Sequence, residues 1–219
     1  MNPNGACPWQ GAKNRHSIGD VLRCRSLSES AKSNSETTET EALCLACGLC
    51  CNGAIFADVQ LQAGDDAERL RGLGLALKPG AGGRKRKFVQ PCVAHDGCRC
   101  RIYDQRPVYC REFDCSLLKR VKGGNLGSSA ALEIIGTARA RLARVSQMLR
   151  EMGDREETLP LRARFQRTAR RMEQRTRDGA GAERFSQLTL TMHDLNRLLE
   201  EEFYPGNKRM PQEVRSRNA

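Results

Sequence analysis

The chain has 219 residues, a formal net charge of +11 at pH 7 and eleven cysteines. Its length fits one or two domains, and with only 5% aromatic residues its apolar core is small. No run of about 18 apolar residues could span a bilayer. Residues 1–25 lack the apolar stretch of a secretory signal. We therefore expect a cytoplasmic protein without membrane association, in which cysteines bind metals or react more often than they form disulfides.

The N-terminal residues 1–41 are predicted to form a disordered tail. Residues 26–41 are rich in Ser, Thr and Glu and nearly free of apolar side chains. Such a composition cannot offset the entropy lost on ordering. Cys7 and Cys24 lie in the tail, upstream of this Ser/Thr/Glu-rich stretch, and we expect them to be free thiols.

Four cysteines lie within eight residues, in the run Cys-Leu-Ala-Cys-Gly-Leu-Cys-Cys at 44–51. The C-x2-C spacing allows two thiolates to turn onto one metal ion, whereas the adjacent Cys50 and Cys51 cannot readily form a disulfide with each other. The first three cysteines also match the start of the iron–sulfur pattern C-x2-C-x2-C-x3-C-P, but the fourth position does not. The spacing therefore leaves zinc and an iron–sulfur cluster both open.

Five further cysteines follow, and together with the first four they define a cysteine-cluster metal-binding domain at 42–122. They are Cys92, Cys98, Cys100, Cys110 and Cys115. The C-x-C spacing of Cys98 and Cys100 would place both on one face of a strand, so spacing does not choose between them. We expect Cys100 to be the ligand, because it begins the Cys-Arg-Ile-Tyr run, and Cys98 to be a non-ligand thiol.

Short secondary-structure elements are predicted inside this domain. Loose apolar alternation predicts a strand at 55–61, and a helix is expected at 65–77. Residues 100–103 look like a short strand. Pro107 suits the first turn of a helix that would carry Cys110.

The residues at 128–203 are predicted to be helical, as a helical hairpin or a three-helix region. Apolar residues recur at spacings of three and four along 132–152, 161–172 and 185–199, which places one apolar stripe on each helix. The stripes have two interpretations: packing of the helices against one another, or a coiled coil that forms a homodimer. Residues 204–219 are expected to form a flexible tail. The predicted fold class is α+β, with a small cysteine-rich domain followed by an α-helical C-terminal region.

The helical region is rich in arginine. Residues 139–184 contain thirteen Arg against seven acidic residues. Arginine-studded helices can bind nucleic-acid phosphates. Aromatic residues that would stack on bases are nearly absent there, so a solvated charged face is favoured over nucleic-acid binding.

Three segments resemble a known family. They are CLACGLCC at 44–51, QPC at 90–92 and CRIYDQRPVYCREFDC at 100–115. This pattern is similar to that of the CxxCxxCC-type cysteine-cluster family (YkgJ-like zinc- or iron-chelating domains). Cys98 is an addition to the pattern. The resemblance implies eight metal ligands: Cys44, Cys47, Cys50, Cys51, Cys92, Cys100, Cys110 and Cys115.

Polar residues of the same motif flank these cysteines. Tyr103, Arg106 and Arg111 are expected to offset the negative charge of the thiolates and to donate hydrogen bonds to sulfur, or alternatively to contact a substrate or cofactor. Acid–base residues are few. Of the three histidines, His95 lies between two motif cysteines; the alternatives are a metal ligand and an exposed loop residue, and we expect the exposed loop residue.

The sequence thus predicts a metal-binding protein that chelates zinc or iron, with an iron–sulfur cluster as one form of the iron. Two alternatives remain. One is an iron–sulfur or metal-dependent redox or transferase enzyme, by a distant analogy with a flagellin lysine methylase that shares the cysteine run. The other is a nucleic-acid-binding module with structural zinc.

Overall fold

The computed structural model describes residues 39–80, 86–97, 99–174 and 179–204. Outside these ranges lie Cys7, Cys24, Cys98 and most of the two predicted tails.

The first described element is a helix that the sequence analysis did not predict. Helix α1 (Glu39–Cys47) begins inside the segment expected to be a tail and continues into the cysteine run. Its Glu, Ala and Leu residues are good helix formers, and the acidic side chains of its first turn complement the helix dipole. Leu43 is buried and fixes which face of α1 points inward. As a result Cys44 and Cys47 are held on a helix rather than on a loop.

A small antiparallel sheet follows. Strands β1 (Asp58–Gln60), β2 (Leu77–Lys78) and β3 (Lys87–Val89) are arranged in the order β1-β3-β2. Val59 of β1 and Leu77 of β2 both pair with Phe88 of the central strand. The predicted strand at 55–61 is confirmed in its centre but is shorter than expected.

Helix α2 (Ala67–Gly72) lies within the predicted helix at 65–77 but ends earlier, before the chain reaches β2. Its first turn is fixed by Asp66, whose side chain accepts hydrogen bonds from the backbone N–H groups of Glu68 and Arg69. The prediction of a strand at 100–103 was wrong. Residues Tyr103–Gln105 form a 3₁₀ turn, and Cys100 makes only a single bridge with His95.

Two short helices carry the last cysteines. Helix α3 (Val108–Glu112) begins directly after Pro107, as predicted, and helix α4 (Ser116–Lys122) follows it. The side chain of Asp65 accepts a hydrogen bond from the N–H of Val108 at 2.8 Å and so anchors the start of α3.

Three long helices complete the fold: α5 (Ser128–Glu151), α6 (Leu161–Gln174) and α7 (Gly179–Glu202). The three predicted helical stripes are confirmed. The α5 and α7 stripes pack against each other within the single chain, and Phe165 of α6 stacks on Phe185 of α7 at 5.9 Å between ring centroids. Homodimerisation stays a prediction.

The buried apolar residues form two clusters. The main core joins α1, α4, α5 and α7, so the cysteine-rich segment and the helical region share it; among its members are Leu43, Leu49, Ile55, Leu117, Ile135, Leu149, Leu195 and Phe203. The sheet core is smaller and consists of Val59, Leu61, Leu70, Leu75, Phe88, Ala94 and Ile102. The α+β class is therefore confirmed. None of the described helices has the length and apolar character needed to cross a bilayer.

Candidate metal centre

The cysteine run at 44–51 bends around a glycine immediately after α1. Gly48 has a φ of +65°, a conformation that side chains with a Cβ rarely adopt. Its carbonyl oxygen accepts hydrogen bonds from the N–H groups of Cys51 and Asn52, each at 3.0 Å. This turn brings Cys50 and Cys51 back beside the end of the helix that carries Cys44 and Cys47.

The turn is closed by a histidine from the next segment. A Cβ on Gly48 would lie 2.7 Å from the Nε2 of His95. The expectation that His95 is an exposed loop residue was wrong: it is half-buried, and its Nε2 is buried without a hydrogen-bond partner among the described residues. Burial lowers the pKa of His95. At neutral pH the ring therefore stays uncharged against the cysteine turn.

The later cysteines are brought to this turn by backbone contacts. The N–H of Cys92 donates to the carbonyl oxygen of Cys51 at 2.8 Å, which ties the two motif segments together. Cys110 lies on α3. Cys115 caps α4, and its Sγ accepts a hydrogen bond from the N–H of Leu118 at 3.5 Å.

Packing separates six of the eight thiols into two sets. Three of them, Cys47, Cys50 and Cys115, pack against the main core. Three others, Cys92, Cys100 and Cys110, pack against the sheet core. The remaining two, Cys44 and Cys51, lie between these sets and are assigned by their electrostatic neighbours.

The electrostatic neighbours associate Cys51 with the sheet core, whereas Cys44 interacts with thiols of both sets, Cys100 among them. Burial raises the pKa of Cys51, and the thiolates of Cys110 and Cys92 raise it further, which associates Cys51 with the sheet core. Cys44 contributes to the raised pKa of Cys47 and Cys50. We name Cys44, Cys47, Cys50 and Cys115 the helix-side group. Cys51, Cys92, Cys100 and Cys110 form the sheet-side group.

Burial makes the thiolate state costly in the protein without a bound cation. The pKa of Cys47 is raised to about 12 by burial, although the N–H of Leu49 partly offsets this by stabilising the anion. The pKa of Cys110 is also raised to about 12, by burial and by the thiolates of Cys92 and Cys100. Burial likewise raises the pKa of Cys50 well above its ordinary value. A bound metal ion reverses this balance, because a coordinating thiol is deprotonated outright.

A small cavity lies among the helix-side thiols. Its volume is about 50 Å³, which exceeds the space of one water molecule. The lining includes all four helix-side cysteines together with Cys51, and the rest of the wall is mainly apolar. Within the described ranges, no three His, Cys, Asp or Glu side chains are already grouped as metal ligands, so ligation requires the sulfur atoms to draw closer together.

Two of the three predicted polar neighbours lie at the cysteines. Arg106 stacks on Tyr103, with its Cζ 3.5 Å from the ring centroid, and donates from Nε to the Tyr103 carbonyl oxygen at 2.7 Å. The positive charge of Arg106 lowers the pKa of Cys44 and Cys110 against the larger effect of burial. Arg111 is exposed, and its guanidinium makes no hydrogen bond or ion pair with the described residues.

The sequence analysis missed a second arginine at the site. Arg139 of α5 donates from Nη1 to the carbonyl oxygens of Ala46 at 2.8 Å and Cys47 at 3.2 Å. Its charge also lowers the pKa of Cys47, although burial dominates. No local pattern marks this residue, because it lies more than ninety positions from the carbonyl groups that it caps.

The described part of the chain thus carries eight cysteines on five short segments, none of them in a disulfide, and six of them pack against the main core or the sheet core. Residues 43–132 match the family model CxxCxxCC, described as "Putative zinc- or iron-chelating domain". The recognition made from the cysteine pattern is thus confirmed, and the match supports metal binding without distinguishing zinc from iron. Searches of curated proteins and of solved structures gave no match.

Proposed function

We propose that this protein binds two zinc or iron ions, each through four thiolates, and that these sites are closed and serve binding rather than catalysis. The observation that carries the proposal is that six of the eight thiols divide between two apolar cores, three against each. Four thiolates complete the tetrahedral coordination of a structural site and leave no position for a substrate. When bound, the metal supplies positive charge and cross-links to a part of the chain with little apolar core.

The helix-side group supports a site at the end of α1. Cys44 and Cys47 have the C-x2-C spacing, Cys50 follows in the Gly48 turn, and Cys115 approaches from α4. Backbone N–H groups point at two of these sulfurs, those of Leu49 at Cys47 and Leu118 at Cys115. Such bonds stabilise thiolates and orient them. All four cysteines line the same cavity.

The sheet-side group supports a second site beside the first. Cys51 is joined to Cys92 through the backbone, Cys100 lies at the bridge with His95, and Cys110 lies on α3. Cys44 lies close enough to this group that the Cys100 thiolate contributes to its raised pKa. The two proposed sites are therefore neighbours, and Cys44 lies at their boundary.

The polar surroundings favour a binding role over an enzymatic one. The described wall of the cavity contains cysteines, a glycine and apolar side chains, and it presents no carboxylate, histidine or hydroxyl group. Tyr103 stays protonated at neutral pH because burial raises its pKa, and Arg106 is engaged with backbone carbonyl oxygens. General acid–base catalysis requires a group within reach of the reacting atoms.

The experiment is a combined metal and thiol count on full-length protein purified without oxygen. Mass spectrometric metal analysis should give two zinc or iron ions per chain. A thiol reagent should react rapidly with three cysteines, since eight of the eleven are ligands, and with all eleven after a chelator and denaturant are added. Rapid reaction of all eleven thiols in the metal-loaded protein would overturn the proposal.

A further inference from the structure

A cleft lined by arginines lies away from the cysteines, between the turn after α5 and helix α6. Its volume is about 310 Å³. The lining residues are Gly153, Asp154, Arg155, Glu156, Arg167, Arg170 and Arg171. This volume is at the lower end of the range for small-molecule sites.

The carboxylates at the cleft do not cancel its positive charge. Asp154 forms a buried ion pair with Arg164, at 2.7 Å between Oδ2 and Nε. Glu156 lies 3.5 Å from Arg167 in an exposed pair. The four arginines that line the cleft and Arg164 carry five positive charges, and Asp154 and Glu156 carry two negative charges, which leaves a net charge of +3. Arg155 and Arg170 form no ion pair within the part of the chain that the structure describes.

Internal bonds hold the cleft in shape before any ligand binds. The Arg164–Asp154 pair is almost fully buried and fixes the turn against α6. Arg171 donates from Nη1 to the Gly153 carbonyl oxygen at 3.0 Å and from Nη2 to the Thr168 hydroxyl at 3.1 Å. Arg167, Arg170 and Arg171 lie three and four residues apart, so they share one face of the helix. A ligand would therefore meet a cleft whose backbone and Arg171 guanidinium are already held in place.

We infer that this cleft binds an oligophosphate, such as a diphosphate group. The planar guanidinium donates paired hydrogen bonds that match phosphate oxygens, and several of them can neutralise a multiply charged anion. Nucleic acid is the weaker candidate, because among the described residues no aromatic side chain lines the cleft to stack on bases. Nothing in the metal-binding role of the cysteines assigns this second site.

Calorimetric titration of inorganic pyrophosphate into the full-length, metal-loaded protein tests the inference. We expect saturable binding of one pyrophosphate per chain. Arg170→Ala and Arg155→Ala should each weaken it about tenfold, which corresponds to a loss of about 1.4 kcal/mol, because each removes one charge-assisted contact to the phosphates. Arg144→Ala is the matched control. Arg144 is exposed on α5 and does not line the cleft, and its substitution removes the same charge. It should change the affinity less than twofold.

Four results would overturn the inference. The first is the absence of saturable heat. The second is equal weakening by Arg144→Ala and Arg170→Ala, which would indicate a diffuse charge effect. The third is a heat of titration that is the same in Arg170→Ala as in the unchanged protein, which would indicate that pyrophosphate extracts the metal and does not bind in the cleft. A twelve-nucleotide oligouridylate that binds more tightly than pyrophosphate would instead indicate a nucleic-acid surface and would also overturn it.

Discussion

The guanidinium of Arg139 donates a hydrogen bond to the carbonyl oxygen of Cys47, at 3.2 Å, and so links the helical region to the cysteine run. The same nitrogen also bonds to Ala46, which means that one side chain caps the last turn of α1. The charge lies close enough to the Cys47 sulfur to favour its thiolate. The helical region therefore supports the candidate metal centre directly, and not only through the shared core.

Replacing this arginine should weaken both the fold and metal retention. We expect Arg139→Leu to lower the free energy of unfolding by about 1–3 kcal/mol, because two carbonyl groups at the end of α1 lose their donor. Arg197→Gln is the control, since it removes an exposed i,i+4 pair and should cost less than about 1 kcal/mol. Denaturant unfolding and metal analysis measure the two effects. Equal losses in the two variants would show that Arg139 acts only as a surface charge.

The glycine at position 48 should not tolerate a side chain. We expect Gly48→Ala to cost about 2–3 kcal/mol of unfolding free energy, because its positive φ is strained for Ala and its Cβ would displace His95. Gly124→Ala is the matched control: its φ is +69°, but nothing lies within 4 Å of the added Cβ. It should cost about 1–2 kcal/mol from backbone strain alone. If both variants lose the same stability, the contact with His95 has no role.

The two thiol groups predict that each cysteine variant affects one site. Cys47→Ser should lose the helix-side metal and keep the other, while Cys110→Ser should do the reverse, since a hydroxyl is a poor ligand for soft metals. Cys7→Ser, Cys24→Ser and Cys98→Ser should keep both. Metal analysis of the purified variants gives the count. Loss of both ions in each single variant would indicate one joint cluster instead of two sites.

The pH dependence of stability should have opposite signs with and without metal. In the metal-free protein the folded pKa values of Cys47 and Cys110 are about 12, against 9.0 for the free thiol. The folded state then holds more protons than the unfolded state between pH 9 and 12. The contribution of these thiols to the free energy of unfolding is therefore complete below pH 9. Above pH 9 the free energy of unfolding falls by about 1.4 kcal/mol per pH unit for each such thiol.

With metal bound the native thiolates carry no protons, whereas the unfolded chain takes them up below pH 9. Stability should then rise with pH toward 9, because the unfolded state holds more protons there. Urea unfolding at a series of pH values, with free metal buffered or chelated, compares the two forms. Parallel curves for the two forms would show that the buried thiols do not ligate the metal.

Local sequence patterns predicted the elements whose determinants are local. The three long helices followed from apolar spacings of three and four, and the start of α3 followed from Pro107. Helix α1 was missed because its first residues continue a polar, acidic segment, and tertiary contacts stabilise it there: the burial of Leu43 in the main core and the hydrogen bonds from Arg139. No strand forms at 100–103 because, within the described residues, Cys100 pairs with His95 alone and no strand lies beside it.

The candidate site was predictable as a set of ligands but not as an arrangement. The eight cysteines and Arg106 belong to a motif that can be read along the chain. The division of the thiols between two cores depends on tertiary packing, since Cys50 and Cys51 are adjacent in sequence yet belong to different groups. The contacts of Arg139 and His95 with the cysteine turn are also tertiary and leave no local signal.

X-ray absorption spectroscopy on the metal-loaded protein, purified without oxygen, tests the central claim most directly. If both proposed sites are closed, we predict a first shell of four sulfur atoms per metal ion, at about 2.3 Å if the metal is zinc, with no lighter ligand. A shell that contains oxygen or nitrogen would contradict closed tetrathiolate sites and favour an open, catalytic centre. An iron–iron distance would contradict them as well, because it would indicate an iron–sulfur cluster.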